Sequence, residues 1–393
     1  MSLADIGDSA EKRMVYCVAL AAFFFQFESF MVVVALPDMA REMHSSAHAV
    51  SYVVSGLLLG LVCALVCASW LGQRFGFSRL FLTGTYIATV ATFTCAVAPT
   101  LSVLIGCRMV QGIGIGAIVA SSYALLPLWV KADRLGWAFG MLSIGAGAGM
   151  VLGVPIGGLI SSWLEWRWLF FGTIPFLLGL ALFSHFSMPP DKPCIRSLSD
   201  ILTLKDILKF PNFATGLLVL FVFQGIMGGL RFLIPFLLES QNKLSTTMSS
   251  LIFLSYPLGF LLLSSWAGRQ ADTHPPRRLM LHASFLSLIA CLLYVLLLDV
   301  WGVWHFVVFL LLLGSATGLF TAPNNVAIIR GLSASEIQVG SALIPIALNL
   351  SVMFGTFSFG ILSTQNDPRV ALTACIGAFV CVILLIKLRS SWL

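Results

Sequence analysis

Twelve apolar stretches of roughly 20 residues follow one another along this chain, separated by short segments that hold most of its charge. A helix needs about 20 mostly apolar residues to cross the hydrocarbon core of a bilayer. It also satisfies its own backbone hydrogen bonds, as lipid requires. The pattern therefore predicts an all-α, polytopic membrane protein with twelve transmembrane helices. Composition agrees: 59% of the 393 residues are hydrophobic and 10% are charged, against about 25% charged in a soluble domain.

The expected spans are 14–36, 48–71, 79–98, 101–125, 136–161 and 167–186, then 213–238, 246–268, 279–298, 303–327, 336–361 and 370–388. They form two sets of six, an N-terminal bundle over 1–186 and a C-terminal bundle over 213–393. The one long polar segment, 187–212, lies between them and contains MPPDKP followed by SLSDILTLKDILKF. Apolar residues recur there at helical spacing, which predicts a cytoplasmic linker with an amphipathic helix on the membrane surface. The first apolar stretch has no small-residue cleavage site, so it is expected to be retained as a helix.

Cytoplasmic loops of membrane proteins are rich in Lys and Arg. Placing both termini in the cytoplasm puts 16 of the 22 bases inside and four outside, namely Arg41, Arg167, Lys243 and Arg369. The remaining two, Arg108 and Arg231, fall at membrane depth, as does one acid, Glu28. The net charge of +6 is dispersed over loops instead of forming a patch, so no nucleic-acid partner is expected. Nine cysteines lie almost all in apolar segments without metal or redox spacing, and read as small packing residues.

Four motifs carry more. Helix 4 holds LIGCRMVQGIGIG, in which Leu104, Arg108, Gln111, Gly112 and Gly114 follow the pattern L-x3-R-x2-Q-G-x-G. Helix 5 holds Gly145, Gly149, Gly153 and Gly157 at four-residue spacing, with Pro155 between the last two. The loop after helix 2 reads LGQRFGFSRL, with Leu71, Gly72, Arg74 and Gly76; a second copy after helix 8 contains Asp272. Helix 1 ends FESFMVVVALPDMARE. On these residues the chain resembles the drug:proton antiporters of the major facilitator superfamily, as a twelve-helix relative of the branch that usually has fourteen helices.

That resemblance implies two pseudo-symmetric six-helix halves, with helices 1, 4, 7 and 10 lining a central cavity, and export driven by protons. It implies a proton-coupling role for Arg108, and a gating role for the loop residues Gly72, Arg74, Gly76 and Asp272 and for Gly149, Gly153, Pro155 and Gly157. Helix 5 departs from the family's G-x3-G-P-x2-G-G, because Val154 stands where the proline is expected. The loop departs too, with Gln73 at the usual aspartate.

Ionisable residues inside a membrane are functional candidates by default, so proton coupling is assigned to Glu28, Arg108 and Arg231, with Glu28 the carrier, drawn to Arg108 or Arg231. A permanent structural Glu–Arg pair is the alternative. Candidate substrate contacts are Phe24, Phe27, Gln111, Gln224, Arg231, Asn324, Asn325 and Asn349, while Phe223 and Phe232 offer further aromatic wall. Two arginines against one acid would also suit an anionic or zwitterionic metabolite, such as a carboxylate siderophore. A lipid flippase or a passive pore remains a reading of another class. No catalytic constellation, metal cluster, cofactor motif or ATP loop is present. The expected partners are a small molecule, protons and the bilayer. The expected setting is a monomer, multi-pass in a bacterial cytoplasmic (inner) membrane.

Overall fold

The computed structural model describes residues 3–131, 135–188, 211–240, 244–273, 275–297, 304–329, 334–362 and 368–387. Every regular element among them is an α-helix. In chain order these are α1 (Leu3–Glu42), α2 (Ala47–Phe75), α3 (Phe77–Ala96), α4 (Leu101–Trp129), α5 (Leu135–Trp163), α6 (Arg167–Ser187), α7 (Pro211–Ser240), α8 (Thr246–Phe253), α9 (Ser255–Thr273), α10 (Pro276–Leu297), α11 (Trp304–Ile329), α12 (Ala334–Leu362) and α13 (Pro368–Lys387). The protein is a multi-pass membrane protein. Residues 189–210, which hold nearly all of the expected linker and its amphipathic run, lie outside the described residues.

Ten spans among the described residues are long and apolar enough to cross a membrane, the eighth of the twelve expected being α8 and α9 together, Thr246–Gly268. The break at Leu254 that divides α8 from α9 was not expected from the sequence. The other two expected spans are α3 and α13. In α13 the described apolar part, Thr373–Lys387, is short. In α3 hydropathy is diluted by threonines, but Thr85, Thr89 and Thr92 donate their hydroxyls to the carbonyls of Phe81, Thr85 and Ala88 at 2.8–2.9 Å. Such back-bonding hides the polar group inside the helix that carries it. Several helices overrun their expected spans; α1 begins at Leu3 rather than near residue 14 and continues past Pro37 to Glu42.

The chain divides into two compact units, one of residues 1–45 and 52–196, the other of 46–51 and 197–393. In the first, α1 packs along α5 and α6, and α3 along α4 and α6. In the second, α7 packs along α12, α9 along α11, and α10 along α11 and α13.

Close backbone approach also joins α2 to α4, and the same approach recurs between α9 and α11. Gly60 on α2 has no room for a side chain against the carbonyl of Met109, nor Gly112 on α4 against that of Leu57, nor Gly116 against that of Leu61; a Cβ on any of them would lie closer than 3.0 Å. In the second unit Gly259 meets Leu311, Gly314 meets Tyr256 and Gly318 meets Phe260 in the same way. A shift of 199 residues carries α2 onto α9, and one of 202 carries α4 onto α11. Internal repeats of this kind build one class of transporter folds.

Candidate functional site

Helix α1 is held against α5 by glycine. Gly145, Gly149 and Gly153 each sit on a carbonyl of α1, those of Ala19, Phe23 and Phe27, and Gly157 sits on the backbone of Met31; a Cβ at any of the four would come closer than 3.0 Å. Small residues at four-residue spacing let two helices approach to backbone distance. The contact fixes the height of Phe27, and therefore of Glu28 beside it. Pro155 lies within this stretch of α5 without interrupting the helix.

Glu28 is 5% exposed, Arg108 2% and Gln111 0%. Arg108 Nη1 donates to Glu28 Oε1 at 2.7 Å, and also to Gln111 Oε1 at 2.7 Å. Gln111 Nε2 returns a bond to the same carboxylate oxygen at 2.7 Å and a second to Thr92 Oγ1 at 2.6 Å. The guanidinium lies 5.6 Å from the ring centre of Phe170 on α6. Side chains of α1, α3, α4 and α6 thus enclose one ion pair whose carboxylate accepts from a cation and an amide at once. Arg108 Nε is buried without an acceptor among the described residues.

The shifts that relate the two units carry Arg108 onto Leu310 and Gln111 onto Leu313. Arg79-Leu80 and Arg278-Leu279 relate α3 to α10 by 199 residues, which carries Thr92 onto Cys291. Leu310, Leu313 and Cys291 are each at most 1% exposed. The second unit packs the equivalent positions with apolar side chains, so the architecture does not need an ion pair there.

The contacts of Arg231 fall within the second unit. Glu28 is paired with Arg108 inside the first unit, whereas Arg231 donates through Nε to the carbonyl of Met227 at 3.3 Å and lies 5.8 Å from the Tyr256 ring, both in the second unit. Equal depth along two helices says nothing of which way each side chain turns, and this is why the sequence left Glu28 a choice of partners. Gln224 is buried and donates to Thr321 Oγ1 at 3.4 Å. Asn349 donates to Pro345 O within its own helix at 2.8 Å. Asn324 is 0% exposed with neither amide atom bonded among the described residues, and Asn325 Oδ1 is likewise unbonded. Phe24 and Phe27 are half-buried and pack with Phe23, at 5.3 and 5.4 Å between ring centres. Phe223 and Phe232 are both fully buried, and Phe223 stacks on Phe320 at 3.8 Å.

A family model for the Major Facilitator Superfamily matches residues 18–249 and 229–391. The chain belongs to the Major Facilitator Superfamily. Among sequence relatives, the riboflavin transporter RibZ of Clostridioides difficile (strain 630) is 25% identical over 348 residues, 75% of this chain and 76% of that protein. The multidrug export protein EmrB of Haemophilus influenzae is 29% identical over 171 residues, 44% of this chain and 34% of EmrB. The putative multidrug resistance protein MdtD of Escherichia coli is 26% identical over 275 residues, 68% of this chain and 58% of MdtD. The chain thus spans about a third of EmrB and under two thirds of MdtD. A D-xylose-proton symporter has the same fold, with a TM-score of 0.80 over 95% of this chain and 96% of that one at 14% identity. A mutant form of the nucleoside transporter NupG matches at 0.77 over 96% and 99%, at 12% identity.

In this facilitator-superfamily transporter the loop after α2 is built by turn geometry. Gly76 caps α3 with φ of 97°, a left-handed conformation that favours glycine. A Cβ on Gly72 would collide with the ring of Phe77. The Arg74 guanidinium stands over the rings of Trp70 and Phe75 at 5.4 and 5.5 Å. The side chain of Asp272 in the second copy lies outside the described residues. Sequence reasoning missed Thr92 and Phe170; the spacing of Thr85, Thr89 and Thr92 along one face of α3 was the available signal for the first, and nothing singled out the second.

Proposed function

We propose that this protein is a proton-coupled exporter of amphipathic small molecules, working by alternating access as a monomer in a bacterial cytoplasmic membrane with both termini inside. The observation that carries the reading is the buried Glu28 carboxylate, bonded through one oxygen to both Arg108 and Gln111. Protonation of Glu28 removes the counter-ion of Arg108 in a site that excludes water. An uncompensated buried charge is strongly unfavourable, so the charged and neutral forms of Glu28 favour different arrangements of α1 and α4. A substrate that binds one arrangement better is then exchanged against a proton without ATP. Arg108 is the counter-ion of the carboxylate before the exchange; Gln111, fixed by Thr92, keeps it in line.

The apolar residues at the equivalent positions of the second unit support a working role for the pair over a purely architectural one. Relatives named as multidrug export proteins and as a riboflavin transporter support a small organic substrate. The dispersed cytoplasmic bases support the orientation. The test is internal pH in proteoliposomes on addition of cationic, neutral and anionic compounds. Wild type is expected to move protons with its substrate, and Glu28→Gln to move none; equal proton movement in both would reduce Glu28 to a structural partner.

A further inference from the structure

The second unit contains a polar ladder that the Glu28 site does not use. Starting from Arg231 on α7, the guanidinium stands over Tyr256 on α9 at 5.8 Å. Tyr256 donates its hydroxyl to Thr317 Oγ1 on α11 at 3.1 Å, and the carbonyl of Thr317 accepts from Thr321 Oγ1 at 2.7 Å. Thr321 in turn accepts from Gln224 Nε2 at 3.4 Å. Gln224 and Arg231 are seven residues apart, two turns of α7, and so share one of its faces.

Both ends of the ladder are chemically open. Arg231 is half-buried, and only its Nε is hydrogen-bonded among the described residues, leaving both Nη groups unbonded there. It is no anchor to the outer interface, because it lies about 12 Å short of the end of its span at Glu239. Its Nε also turns back one helical turn to the carbonyl of Met227, away from that end. At the other end, Asn324 lies one turn beyond Thr321, fully buried, with neither its donor nor its acceptor satisfied. A polar group in that state is costly unless something bonds to it. Helices α7 and α11 run antiparallel here, with Phe223 opposite Phe320 and Gly216 opposite Ile328. Arg231 and Asn324 are therefore about 17 Å apart along the helix axes.

We infer that this ladder is the substrate subsite of the second unit. Arg231 takes a carboxylate on an amphipathic compound, and Gln224 with Asn324 takes a hydrogen-bonding group at its far end. A planar guanidinium with two free Nη groups matches a carboxylate in bidentate fashion. The aromatic ring beneath it suits a lipophilic body. The inference rests on the export reading for the direction of transport, but binding at this subsite needs no proton gradient.

The test is equilibrium fluorescence binding to the purified full chain in neutral detergent, using triplets built on several aromatic cores. Dansylglycine, its primary amide and dansylethylenediamine form one triplet. Wild type is expected to favour the acid over its amide by about tenfold or more. Arg231→Gln should abolish that preference, Arg231→Lys should retain part of it, and Arg231→Glu should favour the amine. Glu28→Gln should keep the wild-type preference, so failure of the coupling proposal and failure of this one read out separately. No preference for the acid in any triplet, or a preference that survives Arg231→Gln, would overturn the inference. So would displacement of the acid by phosphatidylglycerol as readily as by unlabelled acid, which would make the subsite one for a lipid headgroup.

Discussion

Arg108 Nη1 and Glu28 Oε1 stand 2.7 Å apart although 80 positions separate the two residues in the chain, and neither side chain is more than 6% exposed. Gln111 closes the triangle, donating to the same carboxylate oxygen and accepting from the same nitrogen. The carboxylate is thus shared between a cation and an amide that are themselves bonded to each other.

Arg108→Leu leaves Glu28 buried without its cation and should cost about 3–5 kcal/mol of stability. Glu28→Leu combined with Arg108→Leu should recover most of that loss, because Leu310 occupies the equivalent of Arg108 in the second unit without harm. Both variants should lack proton-coupled transport. Thermal unfolding in detergent checks the stability half; a double variant no more stable than Arg108→Leu would sink the argument.

Gln111→Leu removes the amide that joins Glu28 to Thr92. The expected outcome is a folded protein with slowed substrate-driven proton movement. If its proteoliposome rates match those of wild type, Gln111 has no part in holding the carboxylate.

Gly149→Val should collapse folded yield, because even a Cβ there meets the backbone of Phe23. Overpacking of this kind typically costs about 1–3 kcal/mol and sometimes more. Gly172→Ala on α6 is the control, since nothing lies within 4 Å of its added Cβ. Size-exclusion profiles of the two variants make the comparison.

Gly76→Ala puts a side chain at φ of 97° and should lower stability by about 1–2 kcal/mol. Gly76→Asn should lower it as much, because asparagine tolerates positive φ only with ψ near about +45°, far from the 143° found here. Melting temperatures equal to that of wild type would show that the turn relaxes.

Asn324→Leu replaces a buried amide with no partner among the described residues. Relief of that unsatisfied group should raise the melting temperature while weakening binding of carboxylate substrates, a trade of function for stability. A fall in melting temperature would mean that Asn324 is bonded in the folded protein.

Much of this fold could be read from the sequence because lipid is a strict solvent: apolar run length announces helices, and glycine at every fourth position announces a close pair. The same rules say less where polarity is hidden locally: the span of α3 was expected at 79–98, but threonines that bond their own helix drew no attention, and Thr92 went unnoticed with them. Glu28, Arg108 and Gln111 stand out singly as polar residues at membrane depth. Their assembly depends on helix rotation, which residue numbers do not carry, so Arg231 looked as eligible for Glu28 as Arg108. Rotation also explains Phe223, whose aromatic character suited a cavity wall but whose side chain faces Phe320 and Phe379 instead.

The contact of α5 with α1 behaves as a row of mechanical detents. Glycines at four-residue intervals rest on α1 backbone at the same interval, from Ala19 to Met31, so sliding one helix by part of a turn drives backbone into backbone. The next permitted position is four residues away, about 6 Å along the axis. Glu28 therefore cannot creep past α5 by small amounts. The two helices travel as a single strut, and the fine adjustment falls to side-chain rotation at Glu28 and to the helices bearing Arg108 and Thr92.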